Sequence, residues 1–431
     1  MEEPPSKGIN ETEKEVVEIS NNQNQVPKIA LDDFFVRFSH LTEQIFDQLN
    51  KTSLAKCREV SKSWQIYLDQ QKILQVKIIR SSLYQHGDFD TSWERVLTKS
   101  NTKMIFAVRT MLKNANDFRL EKNWKMSLTP LHVAAINGEL SAYQYFLGKI
   151  RYVNPRNAYG LTPDLLTTPL HLAAYIGHLN LCIYIMDIID AKLPRDQTGF
   201  SPLHVAALRG NLSICKYIME NNFEKSPKDK FGLTPLHWAA RKGQFETFNY
   251  LFNNLDEKSP TSIHGLTPIH MAANCGHLNI CKYIMENSDK ISPLDNLNGK
   301  TPLHWAANRG QLDVCKYIMT IVEDKNSGDN TNLPPLHYAA SNGHLETCKH
   351  IMQNIDEKSP MSNSGKTPLH LATIDGHLEV CKYILENIKD VNPRCNNGQT
   401  PLDIAHEKKH FEIFELISQH IEIAVLQTKM N

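Results

Sequence analysis

The chain has 431 residues, with 47 Lys and Arg balanced by 47 Asp and Glu, and 41% of its residues are hydrophobic. Zero net charge provides no general attraction to nucleic acid or to a membrane surface, and no apolar run approaches the length of a transmembrane helix. A chain of this length has room for two or more folding units. The first 30 residues are rich in Glu, Asn, Pro, Lys and Ser with few large apolar side chains, so they read as a disordered tail.

Residues 31–78 read as a compact helical hairpin. Leu41, Ile45 and Leu49 recur at helical spacing and form one apolar stripe. Asn50 to Ser53 is a turn ending in a capping residue. Leu54, Cys57, Ser61, Trp64 and Leu68 then line one side of a second helix. So small a pair needs support from a partner. Ser53-Leu54 followed by Val60-Ser61-Lys62-Ser63-Trp64, with Ile45, Phe46 and Leu49 upstream, resembles the F-box. That family usually opens with Leu-Pro, where this chain has Arg37-Phe38. The resemblance implies docking onto the Skp adaptor of a cullin–RING ubiquitin ligase, with Leu41, Ile45, Leu49, Leu54, Val60 and Trp64 carrying the contact. From its residues alone, the hairpin also reads as a plain helical cap on the C-terminal part of the chain.

Residues 79–120 read as a helical linker. Thr91-Ser92-Trp93-Glu94 has the form of a capping box. Met104, Val108, Met111 and Leu112 make an amphipathic stripe expected to dock on the next segment as its N-terminal cap.

From 121 to 426 the phrase Thr-Pro-Leu-His-x-Ala-Ala recurs nine times. Its copies begin at Thr129, Thr168, Ser201, Thr234, Thr267, Thr301, Pro334, Thr367 and Thr400, in steps of 39, 33, 33, 33, 34, 33, 33 and 33 residues. Thr or Ser before Pro can cap a helix whose first position tolerates a missing N–H. The two alanines let neighbouring helices approach closely. A glycine follows in eight copies, among them Gly210, Gly243 and Gly276, where a short helix needs a left-handed stop. A second helix starts at once, as in Leu212 to Met219, with an apolar face through Leu212, Cys215 and Ile218 or Met219. Polar stretches with a glycine, such as Asp229-Lys230-Phe231-Gly232-Leu233, read as turns or hairpin fingers. Period and phrase together resemble the ankyrin repeat. The chain is then all-α: an ankyrin-repeat solenoid of helix pairs with hairpin fingers, preceded by a small helical F-box-like domain. The six extra residues of the first step lengthen one finger near 161–167.

One histidine per repeat, from His132 to His370, cannot converge on a single ion, and a metal site needs several ligands around one centre. The resemblance gives these histidines a structural role, tying the repeat together by hydrogen bonds. Six of the nine cysteines, Cys182, Cys215, Cys281, Cys315, Cys348 and Cys381, share one slot of the second helix. Adjacent helices lie about 8–10 Å apart, too far for a disulfide, so they read as core residues. A thiol-rich core without a secretory signal fits the cytoplasm or nucleus. At the far end, residues 407–426 lose the glycine and carry Lys408, Lys409, Glu412 and Glu415 beside Phe411, Phe414 and Leu416, as a terminal cap should.

The resemblance places partner choice in the fingers and the exposed side of the first helix. Basic residues concentrate in the middle repeats as Arg209, Arg241, Lys242 and Arg309, and nearby fingers add Phe200, Lys230, Phe231 and His264. Aromatics beside arginines are what protein interfaces favour. Arg209, Phe231, Arg241, Lys242 and Arg309 are therefore expected to hold an acidic segment of a target protein, against the plainer reading of a solvated surface. Trp238, Trp305 and Tyr338 fill the slot after the histidine that Val, Leu, Met or Ile fill elsewhere, and read mainly as packing residues. No Gly-rich phosphate loop, nucleophile elbow or clustered ligand set lies outside the repeat template, so no catalytic residue, cofactor or metal is expected. The function read from the sequence is a non-catalytic substrate receptor of a Skp–cullin–F-box ubiquitin ligase, its hairpin holding the Skp adaptor and its repeats the target. The alternative is an ankyrin scaffold with no ubiquitin-ligase role.

Overall fold

The computed structural model describes residues 129–150, 168–189, 193–222 and 224–430, together with positions 72, 75–80, 93, 96–97, 104–105 and 107–112. The chain divides into two compact units, Met1–Asn114 and Ala115–Asn431. In the first unit the described positions are helical, and Ile79, Trp93, Val96, Leu97, Ile105, Val108, Met111 and Leu112 are buried. Three members of the expected stripe are thus inside and Met104 is half-buried. The tail, the F-box-like residues Leu41, Ile45, Leu49, Leu54, Val60 and Trp64, and the long finger near 161–167 lie outside the described residues.

The second unit is a succession of helix pairs. They are α1 (Pro130–Asn137) with α2 (Leu140–Leu147), α3 (Pro169–Ile176) with α4 (Leu179–Ile188), and α5 (Pro202–Arg209) with α6 (Leu212–Asn221). Next come α7 (Pro235–Lys242) with α8 (Phe245–Asn253), α9 (Pro268–Cys275) with α10 (Leu278–Asn287), and α11 (Pro302–Asn308) with α12 (Leu312–Ile321). The last three are α13 (Pro335–Ser341) with α14 (Leu345–Gln353), α15 (Pro368–Ile374) with α16 (Leu378–Asn387), and α17 (Pro401–Lys408) with α18 (Phe411–Met430). Each first helix packs on the first helices before and after it, where the paired alanines are fully buried. Six second helices bury Ile, Val, Leu or Thr with Cys, then Ile with Met or Leu. In α6 these are Ile214, Cys215, Ile218 and Met219, while Leu212 is only half-buried, and α8 instead buries Thr247, Phe248, Leu251 and Phe252. The six slot cysteines are free and buried. Burial pushes the Cys281, Cys315 and Cys348 thiols up to about 12 and Cys381 to about 11.

Three hydrogen bonds recur between neighbouring repeats among the described residues, and the first comes from the recurring histidine. Within a repeat the N-cap N–H donates to the ring Nδ1, as Ser201 does to His204 at 3.1 Å and Thr234 to His237 at 3.1 Å. A backbone N–H can only donate, so Nδ1 is the acceptor and the ring proton sits on Nε2. That Nε2–H donates to a finger carbonyl of the following repeat: His171 to Phe200 at 3.1 Å, His204 to Leu233 at 3.0 Å, and His237 to Leu266 at 2.9 Å. His270, His304, His337 and His370 continue the series to Lys300, Leu333, Lys366 and Gln399.

The second bond points the other way. From the second repeat on, the residue after the left-handed end of the first helix is His, Asn or Gln, and its side chain donates back to the end of the previous first helix. His178 reaches the Ile136 carbonyl at 3.1 Å, Asn211 reaches Ala174 at 2.6 Å, and His277 reaches Arg241 at 3.1 Å. Carbonyls left open at a helix end are satisfied this way. Gly243 shows why the glycine is needed: its φ is +71°, and a Cβ there would lie 2.5 Å from His277 Nδ1. The third bond links fingers, as when Lys230 N–H donates to Thr198 O at 2.9 Å and Ile263 N–H to Phe231 O at 2.9 Å. Each finger is a turn closed by two backbone bonds, such as Asp229 N–H to Leu233 O and Gly232 N–H to Asp229 O, and no strand forms among the described residues. Of the turn and hairpin readings, the described fingers take the turn.

Departures from the phrase follow its logic. Pro334 offers neither N–H nor hydroxyl, and the buried His337 Nδ1 has no hydrogen-bond partner. In the last copy Asp403 replaces the histidine, accepts from Thr400 N–H at 2.9 Å, and sends no bond onward. Lys409 takes the left-handed position at φ +61° in place of glycine. In α18, Ile413 and Ile417 are buried, Phe414 and Leu416 half-buried, and Phe411 is 71% exposed beside the exposed Glu412 and Glu415.

Two outcomes are expected. Burial, the largest cause, holds His204 at about 3 and His237, His270, His304 and His337 at about 4 against an ordinary 6.5. The unfolded chain binds protons that the fold resists, so this stability is complete above pH 6.5 and is lost as pH falls through about 4. Urea midpoints should be flat above pH 7 and drop steeply below 6.5, with proton uptake on unfolding. Second, Pro334→Thr supplies the missing donors to His337. Relief of a buried acceptor contributes about 1–3 kcal/mol, more than the roughly 0.4–1 kcal/mol lost with the proline's restraint on the unfolded chain. A higher urea midpoint is expected, and an unchanged one would mean that Nδ1 finds a partner in solution.

Candidate functional site

With the histidines and glycines committed to the frame, the side chains free to act are those on the fingers and at the ends of the first helices. Arg209 is exposed at the end of α5, its guanidinium 4.5 Å from the Tyr175 ring of the preceding repeat. Arg241 and Lys242 are exposed at the end of α7, with Arg241 5.0 Å from the Trp238 ring. Arg309 follows α11 and donates from Nε to Asn274 Oδ1 at 3.3 Å, again in the preceding repeat. Phe231 is exposed at a finger tip.

Three of these five, Phe231, Arg241 and Lys242, lie in the fourth repeat. In the fourth repeat Phe231 N–H donates to Asp229 Oδ1 at 2.8 Å, Trp238 Nε1–H donates to Asp229 Oδ2 at 3.3 Å, and Arg241 covers the Trp238 ring. Finger tip, first helix and helix end thereby share one connected surface. Arg209 and Arg309 flank it from the third and sixth repeats. The fifth repeat offers Asn274 and Cys275 at the corresponding pair and interrupts the cationic row. Lys300, on the next finger, stands 4.3 Å from the Tyr338 ring and 5.6 Å from the Trp305 ring.

Two expectations change here. Trp238, Trp305 and Tyr338 are half-buried at the surface, not core packing. Each turns its polar end to its own finger: Trp305 Nε1–H donates to Asp295 Oδ2 at 3.0 Å and the Tyr338 hydroxyl to Asp329 Oδ2 at 2.5 Å. An amphipathic ring with one apolar face and one polar handle suits such a half-wet position. Burial raises the Asp229 carboxyl despite the donors from Leu233, Phe231 and Trp238. Phe200, in contrast, is not on the surface: it is 2% exposed and packs edge-on against Trp238 at 4.9 Å. The back-pointing His, Asn and Gln residues were also missed. Their signal was position, between the left-handed residue and the Leu or Phe that opens the second helix, rather than identity.

Chemically the surface offers cations held over aromatic faces, exposed apolar finger tips and no nucleophile paired with a base. Among the described residues no three His, Cys, Asp or Glu side chains form a group that could hold a metal ion. Nor is any helix among them long and apolar enough to cross a membrane. The family model for ankyrin repeats (three copies) matches residues 153–229, 170–262, 203–295, 254–329, 287–360 and 336–427. These overlapping windows span more than half of the chain, which belongs to the ankyrin-repeat family; they do not reach residues 31–78. No curated protein matches the chain. The repeats serve protein–protein interaction, as interaction scaffolds of this family do.

Frame and surface should separate on mutation. Arg209→Ala, Lys242→Ala and Arg309→Ala are each expected to change unfolding free energy by less than about 0.5 kcal/mol. His270→Ala, which strands Thr267 N–H and the Lys300 carbonyl, should cost about 2 kcal/mol or more. Urea titrations of the four variants check the split.

Proposed function

We propose that this chain is a non-catalytic adaptor, the substrate receptor of a Skp–cullin–F-box ubiquitin ligase. The F-box-like segment 31–78 holds the Skp-type adaptor, and the face of fingers and first helices holds the target protein. One observation carries the target half: the polar groups of the repeat phrase are spent inside the solenoid, while Arg209, Phe231, Arg241, Lys242 and Arg309 face outward. The Skp half rests on Ser53-Leu54 and Val60-Ser61-Lys62-Ser63-Trp64 with the apolar spacing of Leu41, Ile45 and Leu49. Such a receptor performs no chemistry itself; it contributes proximity, bringing a target within reach of another subunit's reaction. Cytoplasmic or nuclear residence goes with this reading. Arg37-Phe38 in place of the family's Leu-Pro favours a second reading, a scaffold that binds its partners without a ligase.

Direct binding of the full chain to a purified Skp-type adaptor separates the two. A stable complex is expected, weakened about tenfold or more by Leu41→Asp or Leu54→Asp, since a charge forced into an apolar contact costs at least about 1.4 kcal/mol. An unmutated chain that forms no complex would leave the scaffold.

A further inference from the structure

The chain is neutral as a whole, but its charge is sorted. Across the third to sixth repeats, the fingers 193–200, 226–233, 259–266 and 293–300 and their first helices α5, α7, α9 and α11 carry three carboxylates, Asp196, Asp229 and Asp295. All three are buried. The same segments expose Arg209, Lys228, Lys230, Arg241, Lys242 and Arg309. The exposed carboxylates of these repeats lie elsewhere, on the second helices and the turns after them, as with Glu220, Glu246, Glu286 and Asp313.

Exposed apolar surface is sorted as well. Among the described residues between 129 and 410, the large apolar side chains that stand exposed all sit on fingers: Phe231 (54%), Ile263 (59%), Leu294 (60%), Leu297 (55%) and Met361 (50%). Phe231 and Ile263 are on consecutive fingers joined by the Ile263 N–H to Phe231 O bond. The next finger, with Leu294 and Leu297, is joined through Asn296 N–H to His264 O at 2.8 Å. An apolar row therefore runs finger to finger, and Trp238 and Trp305 link fingers to cations, bonding the finger carboxylates Asp229 and Asp295 and stacking with Arg241 and Lys300. Successive members repeat with the helix packing, about 8–10 Å apart. Contiguous apolar surface of this kind marks an interaction site.

We infer that the partner is an extended acidic segment with a large apolar side chain at about every third position. This rests on reading the finger face as the target surface. A polyproline-type chain has three residues per turn and rises about 3.1 Å per residue, returning every third side chain to one side after about 9 Å. That interval matches the finger row, and the intervening carboxylates then meet the row of cations. Apolar anchors supply the affinity, and charge complementarity sets register and rejects basic segments.

The test uses the full chain and a synthetic peptide of about twelve residues, with Leu or Phe at every third position and Glu, Asp and Pro between. Binding is followed by fluorescence anisotropy at two salt concentrations. Binding is expected, weakened about tenfold by Arg241→Glu with Lys242→Glu and about tenfold by Phe231→Ser with Ile263→Ser, and reduced by salt. Lys216→Glu with Lys282→Glu, on second helices, should leave it unchanged. Equal binding of a peptide with Lys for each acid, no binding at low salt, or indifference to the finger and helix-end variants would overturn the inference. Equal binding of an isomer with its apolar residues gathered at one end would overturn the spacing. Unfolding curves of the variants confirm that all are folded. Because the N-terminal segment takes no part, failure here leaves the Skp-adaptor assay standing, and failure there leaves this one.

Discussion

One hydrogen bond recurs through the solenoid, from a buried histidine Nε2–H to a finger carbonyl in the following repeat. The ring also accepts the N-cap N–H at Nδ1, which requires its neutral form and leaves the ring proton on Nε2 for the bond to the finger. The pair of bonds ties three things at once: the start of a first helix, the ring's tautomer and the position of the next finger. Each bond contributes about 1 kcal/mol, while leaving one partner buried and unpaired would cost more. A repeat cannot bury its own face, and stability in such arrays resides largely in the contacts between neighbours. Asp403 at the end shows the dependence in reverse. Without a following finger the histidine has no carbonyl to meet, and an acceptor-only side chain closes the N-cap instead.

That commitment leaves a small set of positions free. First helices pack along their alanines, and their polar motif groups point inward or to the next repeat. Only the helix ends, the slot after the histidine and the finger tips remain. At those places the chain puts Arg209, Arg241, Lys242 and Arg309, the half-buried Trp238, Trp305 and Tyr338, and the exposed Phe231, Ile263 and Leu297. Cation–π contacts orient Arg241 and Lys300 before a partner arrives, which limits the ordering cost of binding. Frame and surface are thus distinct populations of residues within each 33-residue period.

Much of this was legible in the residues. Proline at the first position marked every first helix, glycine its left-handed end in all but the last, and the one-per-repeat histidines a structural role. The core cysteines also read correctly, because helix spacing excludes disulfides. The rest depended on depth, which period alone does not carry. Phe200 and Phe231 occupy neighbouring finger positions, yet one is inside and the other out, because Phe200 precedes the N-cap and Phe231 sits at the turn. Trp238 shares a slot with buried Val205, but its finger carboxylate Asp229 draws the indole N–H outward. The returning bonds of His178, Asn211, Gln244 and His277 escaped because three residue types perform one task. For Leu41 to Trp64, which lie outside the described residues, the reading rests on the Ser53-Leu54 and Val60 to Trp64 motif and the apolar spacing in the sequence.

The neutral Nε2–H state of the repeat histidines is the point on which frame and surface divide. Long-range proton–nitrogen correlation of the imidazoles in histidine-labelled full chain observes it directly. His204, His237, His270 and His304 should show a protonated Nε2 and an unprotonated Nδ1 from pH 7.5 down to below 5, titrating only as the protein unfolds. Rings that titrate near the ordinary 6.5, or that carry their proton on Nδ1, would contradict the inter-repeat bond and the separation of partner-binding residues from it.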